Sequence, residues 1–243
     1  MTPQITLYIT KSSPYGHYVE IALRETQANY SVYEVDLVDK PSWFTEKINP
    51  AGKVPAISYG GSPAPADNPS PSSFKLAESL VILDFITDIF PGSNLLPIDP
   101  VDRASTRFLL NLFSTTLRTA CVGIAALRES PEAVLHAIDK LQVHMPAPES
   151  LGQFVTGDTF TLVDAVAAAY LLRFDRCLER DIGSFPEGEG VKVHHILRTS
   201  ERFTRYRAYL STLAERESVK ASFPEEQVLA QLRDFWVGNR ASA

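Results

Sequence analysis

With 243 residues, 44% of them hydrophobic, the chain can bury a substantial core as one large or two modest domains. A net charge of −6 without a basic cluster argues against a nucleic-acid partner, and no apolar run approaches the roughly 18 residues of a membrane span. The sequence enters a strand at once and leaves no room for a signal peptide, so a cytoplasmic location is expected.

Gln4 to Thr10 alternates apolar and polar residues and reads as the first strand. The chain continues through Lys11 and Ser12 into Ser13. Pro14 suits the first position of a helix, with Tyr15, Val19, Ala22, Leu23 and Thr26 on one face. Ser13 is then the N-cap, a hydroxyl at the positive end of a helix and aimed off the end of a strand. A plain capping serine ahead of a proline accounts for the same residues. Ser12, one residue earlier, is the rival hydroxyl. His17 lies one turn beyond Ser13, but a Ser–His nucleophile needs an orienting third group and an oxyanion hole. The sequence supplies neither, and His17 reads as a surface or pocket-rim residue.

A second strand falls near residues 31–37, followed by Lys40-Pro41-Ser42-Trp43-Phe44. In Asn49-Pro50-Ala51-Gly52-Lys53-Val54-Pro55-Ala56-Ile57, Gly52 supplies a turn and a third strand runs near 54–59. Pro55 removes a ladder donor, which is tolerable only at an edge or at a strand's beginning. Val54–Pro55 is a candidate cis peptide that presents the Val54 backbone outward, where a peptide ligand can add as a strand. An ordinary turn into an edge strand is the plain alternative.

Gly60 to Ser73 holds four prolines and reads as an extended hairpin loop, longer than the usual connection, before a fourth strand near 73–77. A simple insertion is expected there, against a reach toward a neighbouring subunit or over a pocket. Glu78-Ser79 then opens a helix whose apolar positions continue through Leu83, Phe85, Ile86 and Ile89. An acid and a hydroxyl at a helix start serve as capping. They also suit an α-amino acid, with backbone N–H groups and the Ser79 hydroxyl for its carboxylate and Glu78 for its ammonium.

Phe90 to Asn94 ends the first domain, and Pro97 to Pro100 completes a linker, giving domains at 1–92 and 99–243. The second is all helix, with helices predicted at about 101–128, 131–148 and 161–181 and shorter ones from about 199 to the end. Thr161 as N-cap with Asp164 three residues on is a variant capping box. The run Ala165-Val166-Ala167-Ala168-Ala169 permits close packing, which makes this helix central. Cys121 and Cys177 lack metal-like spacing and read as buried, reduced thiols; no metal is expected.

Together the Ser13, Val54-Pro55 and Glu78-Ser79 motifs resemble the glutathione-binding half of the cytosolic glutathione transferases. Lys40-Pro41-Ser42-Trp43-Phe44 looks like the Lys-Pro-x-Trp-Phe segment of the omega class. That class normally carries Cys-Pro-Phe/Tyr, whereas Ser13-Pro14-Tyr15 is similar to the serine-bearing omega-type transferases of fungi. The resemblance spans essentially the whole chain. It implies an α/β thioredoxin-like domain followed by an all-α helical domain, with glutathione as co-substrate, and a homodimer.

By the same resemblance, Ser13 takes the catalytic position, where its hydroxyl holds the glutathione sulfur instead of supplying a protein thiol. Tyr15, Lys40, Lys53, Val54, Pro55, Glu78 and Ser79 bind the tripeptide. With the start of the helix after residue 100, Tyr170, Arg173 and Phe174 line a pocket for a hydrophobic or aromatic ligand; plain core packing is the alternative for such apolar and aromatic helical residues. One hydrogen bond to a charged group contributes roughly 1.5–3 kcal/mol, enough to lower a bound thiol's pKa by about one to two units. Conjugation or peroxide reduction is then accessible, whereas exchange through an enzyme–glutathione mixed disulfide is not. A ligandin-like carrier of polyphenols with little turnover is the alternative function.

Overall fold

The computed structural model describes residues 3–150 and 152–236. The chain divides into two compact units, Met1–Ser93 and Asn94–Ala243.

In the first unit, β1 (Ile5–Ile9) leads to α1 (Pro14–Glu25), β2 (Tyr30–Glu34), α2 (Ser42–Lys47), β3 (Ala56–Tyr59), β4 (Phe74–Ala77) and α3 (Ser79–Ile89). The sheet order is β2-β1-β3-β4, with β1 parallel to β2 and antiparallel to β3, and β3 antiparallel to β4. This mixed sheet with its helices is the expected thioredoxin-like arrangement. All five residues of β1 are buried, as a central strand covered on both faces requires. β2 lies at the edge and stops earlier than predicted because Asp36 folds the chain out of the sheet. Its carboxylate accepts the Val38 and Asp39 N–H groups, which hold it below the usual carboxylate range.

Beneath the sheet, Tyr8, Val35, Phe44, Ile48 and Ala56 form a core against which Tyr33, Trp43 and Val54 pack. Trp43 meets Tyr33 edge to face at 5.2 Å. The segment between β3 and β4 is irregular, as expected, and folds back onto its own unit. Gln4 clamps Ala64, its amide donating to the carbonyl at 2.9 Å and its oxygen accepting the N–H at 3.1 Å. The Tyr8 hydroxyl donates to the Ala66 carbonyl at 2.8 Å.

The second unit is helical: α4 (Pro100–Ala126), α5 (Glu132–Gln142), α6 (Leu162–Glu179), α7 (Glu189–Thr199), α8 (Thr204–Glu215), α9 (Glu217–Lys220) and α10 (Glu225–Trp236). α6 is its centre, with Ala165, Ala167, Ala168 and Ala169 fully buried. The capping box forms as predicted. Asp164 accepts from the Thr161 N–H at 2.8 Å and the Thr161 hydroxyl at 3.0 Å, and also from the Val155 N–H and the Tyr209 hydroxyl.

Three predicted features differ. α5 stops at Gln142 instead of 148, since Pro146 and Pro148 cannot continue a helix. α7 lies in a segment not predicted to be helical. It starts after a left-handed Gly188, and only Gly190, Val193 and Leu197 of it are buried, too sparse a stripe to announce a helix. α4 does contain an 18-residue window of mean hydropathy 1.4, long and apolar enough by composition to cross a membrane. Its polar members are mostly Ser, Thr and Asn instead of charges, and the helix packs along α5 and α6. The part of the predicted C-terminal helices beyond residue 236 lies outside the described residues.

Candidate functional site

Three distant segments meet at one end of the sheet because of its register. Tyr8 of β1 stands opposite Ala56 of β3, and Ala56 opposite Ala77 of β4. One step further along each ladder, Val54–Pro55 falls between the end of β1, which leads to Ser13, and Glu78–Ser79 at the end of β4. Strands about 4.8 Å apart place these segments over about 10 Å, the reach of an extended tripeptide.

Ser13 is the N-cap of α1, with φ −75° and ψ 123°, and Pro14 is the first helical residue. Its Oγ accepts the Gly16 N–H at 3.4 Å, while the Ser12 hydroxyl lies 3.4 Å from Thr10 Oγ1. Of the two serines, Ser13 therefore occupies the helix terminus. Gly16 lets α1 approach β1, since a Cβ there would stand 2.6 Å from Ile9 Cγ2. The turn is anchored from below by Glu20, which is buried and pairs with Lys11 Nζ at 2.8 Å and Arg24 Nη2 at 3.3 Å. His17 is buried at 3% exposure, a correction to its expected surface position. α1 is enclosed from Gly16 through Leu23, on more than the one face its pattern suggested.

The Val54–Pro55 peptide is cis, as expected. The Val54 side chain is held in the aromatic core. The turn before it depends on Asn49, a residue the sequence reading did not single out. Buried Asn49 donates from Nδ2 to the Lys53 carbonyl at 2.8 Å and accepts the Ala51 N–H at 3.1 Å. Gly52 has φ +63°, and a Cβ on it would lie 2.9 Å from Lys40 Nζ, so the Lys40 ammonium rests over this turn. Lys53 is exposed beside it. Two cations thus flank the segment that carries Val54.

Glu78 joins β4 to α3 with φ +69° and ψ 105°, a conformation that costs a non-glycine residue on the order of 1–3 kcal/mol. Its carboxylate is exposed and makes no capping bond. Ser79, half-buried, is the first residue of α3, where backbone N–H groups have no intrahelical partner. The buried Tyr18 hydroxyl of α1 donates to Ser79 Oγ. Burial pushes the Tyr18 phenol well above its ordinary pKa, so it stays protonated. Tyr15 meets the Tyr18 ring edge to face at 6.2 Å.

The geometry has close counterparts. Residues 7–94 match the family described as Glutathione S-transferase, N-terminal domain. Glutathione transferase Omega 1C from Trametes versicolor is 40% identical, with a TM-score of 0.90 over 99% of each chain. The chain belongs to the omega-like glutathione transferases. Omega 2S from the same organism, solved in complex with 2,4-dihydroxybenzophenone, is 36% identical with a TM-score of 0.86, covering 96% of this chain and 99% of that one. A probable glutathione S-transferase of Nicotiana tabacum is 28% identical over 222 residues, 91% of this chain and 89% of the relative. Glutathione is the co-substrate of this family.

In the transferase's helical unit, Tyr170, Arg173 and Phe174 are each at most 2% exposed. All three pack in the interior of this unit. Arg173 Nη1 donates to the Ala169 carbonyl at 2.8 Å, and its guanidinium lies 5.3 Å from the Phe223 ring centroid. Burial pulls its pKa down to about 10. The same interior pushes the Cys121 thiol up to about 11 and the Cys177 thiol up to about 12, so neither is a nucleophile near neutral pH. Both cysteines are free.

Proposed function

We propose that this transferase binds glutathione across the end of its sheet and stabilises the thiolate through the Ser13 hydroxyl for attack on small hydrophobic electrophiles. The observation that carries this reading is the N-cap geometry: a serine, not a cysteine, stands at the α1 terminus where the β1 ladder ends. A hydroxyl that accepts one hydrogen bond also donates one, and at a helix N-terminus that donation favours an anion.

In this reading the Val54 backbone pairs with the cysteinyl residue beside Pro55. Glu78 takes the γ-glutamyl ammonium, and Ser79 with the α3 N-terminus takes its carboxylate. Lys40 or Lys53 attracts the glycyl carboxylate, and Tyr15 borders the sulfur. Conjugation and peroxide reduction need only the activated thiolate. Thiol transfer through an enzyme-bound mixed disulfide needs a protein thiol, so that activity is weak or absent. The chemistry calls for no metal. A cytoplasmic location and a twofold homodimer complete the reading, and sedimentation at twice the 26.9 kDa chain mass tests the latter.

The test is Ser13→Cys. A cysteine at this helix terminus should acquire a depressed pKa and form a glutathione adduct visible by intact mass, with thiol-transferase activity appearing alongside it. An adduct on Ser12→Cys and none on Ser13→Cys would move the functional hydroxyl one residue earlier. The second reading, a carrier of aromatic compounds with little turnover, draws on the benzophenone seen with Omega 2S. It prevails if neither substitution alters turnover while such compounds bind tightly.

A further inference from the structure

Among the groups around the glutathione site, one buried contact has no role in that reading. The Tyr18 hydroxyl, on α1 with the residue 2% exposed, donates its proton to Ser79 Oγ at the start of α3. A serine oxygen that accepts from a fixed donor keeps its own proton for a different direction. Ser79 is only half-buried, so its remaining donor can be reached from solvent. Without the tyrosine, the Ser79 hydroxyl of an N1 residue is free to rotate, and it competes for backbone acceptors of its own turn.

We propose that Tyr18 is a positioning residue that aims the Ser79 proton at the carboxylate of the γ-glutamyl group, and so sets recognition of a free α-amino acid terminus. The proposal rests on the glutathione reading above. Three features of the structure make the device work. The Tyr18 ring is fixed by burial and by the Tyr15 ring standing edge-on to it. Burial raises the phenol well above its ordinary pKa, so it remains a donor near neutral pH. Glu78, one residue before Ser79, has a strained backbone and an exposed side chain that makes no cap bond, so it does not occupy the N–H groups of the α3 terminus. Tyr18 itself contacts no ligand in this scheme; it acts through Ser79.

The test compares glutathione with 4-aminobutanoyl-cysteinyl-glycine, which keeps the ammonium and lacks the α-carboxylate, by calorimetry on the full-length protein. Tyr18→Phe should weaken glutathione about five- to tenfold, and the analogue less than twofold. Turnover at saturating glutathione and the pKa of the bound thiol should not move. Ser79→Ala should shrink the preference for glutathione over the analogue by at least as much as Tyr18→Phe does, the α3 N–H groups keeping the remainder, and adding Tyr18→Phe to it should cost nothing more. Equal losses for both ligands in Tyr18→Phe would mean that the tyrosine only packs, and would overturn the proposal. So would an undiminished preference in Ser79→Ala, a variant that changes no residue of α1 and remains informative if Tyr18→Phe fails to fold. A wild-type protein that binds neither ligand would instead remove the glutathione reading beneath it.

Discussion

Ser13→Ala separates a structural cap from a chemical donor, because the two roles act on different observables. As a cap, Ser13 accepts one N–H at 3.4 Å, a long bond, and Pro14 already removes one orphan donor from the first turn. Loss of a cap costs about 0.5–2 kcal/mol, and this geometry places Ser13 in the lower half of that span. As a donor to a thiolate, the hydroxyl contributes roughly 1.5–3 kcal/mol, or about one to two pKa units. With a thiol that titrates near ~8.5 when unassisted, the wild-type complex should then titrate near ~7. At a pH of about 6.5, the thiolate fraction falls from about a quarter to about one percent on substitution, and conjugation should slow about twentyfold. At a pH of about 9 the two proteins should agree within a few-fold, since most of the sulfur is ionised in both. Ultraviolet absorbance of the thiolate, titrated at saturating glutathione, reads the pKa directly, and urea unfolding reads the cap. A bound thiol with the same pKa in both proteins, beside the expected small loss of stability, would show that Ser13 is only a cap.

Asn49→Ala removes two partly buried hydrogen bonds, to the Ala51 N–H and the Lys53 carbonyl, so unfolding free energy should fall by about 1–2 kcal/mol. A shift in the urea midpoint worth less than about 0.5 kcal/mol would show that the turn before Val54 holds itself. Glu78→Gly relieves the positive φ at a cost in chain entropy of about 0.5–1 kcal/mol, so stability should hold or rise while glutathione affinity falls. A clear loss of stability in that variant would place the Glu78 carboxylate in the fold instead of the site. Burial raises the pKa values of Tyr18, Tyr206 and Tyr209, and that of Tyr30 to about 12, so the folded state holds these protons more tightly than the unfolded chain. Their contribution is whole below the unfolded value of about 10 and is lost as pH rises from there through the folded values. Urea midpoints should therefore drop above that pH, with tyrosinate absorbance from these residues appearing only on unfolding, and a flat profile would contradict their burial.

What the sequence disclosed rests on chemistry written within a few residues. Proline at 55 and serine at 13 each restrict a local backbone, the alternation in β1 fixes a strand, and Thr161 with Asp164 closes a box inside one turn. The register of β1, β3 and β4 then assembles those local signals into one place, and so motifs 24 to 65 residues apart were legible as a single candidate site. Tyr18 and Asn49 escaped notice for the opposite reason. A tyrosine on α1 acquires meaning only when α3 packs beside it, and no spacing rule ties position 18 to position 79. Asn49 stood inside a recognised motif, yet its reach forward to Lys53 depends on a turn that Gly52 closes. The surroundings of Arg173 were equally illegible: its charge lies in the interior of the helical unit, against a backbone carbonyl and the Phe223 ring. The site also divides the work unevenly along the sheet. In the proposed reading most groups that hold the tripeptide belong to the turn before β3, the start of α3 and Lys40, while Ser13 and its neighbour Tyr15 attend the sulfur. If that division holds, exchange of a thiol for a hydroxyl at that one cap would change which reactions are open without dismantling the proposed binding site, and Ser13→Cys with unchanged glutathione affinity is the outcome it requires.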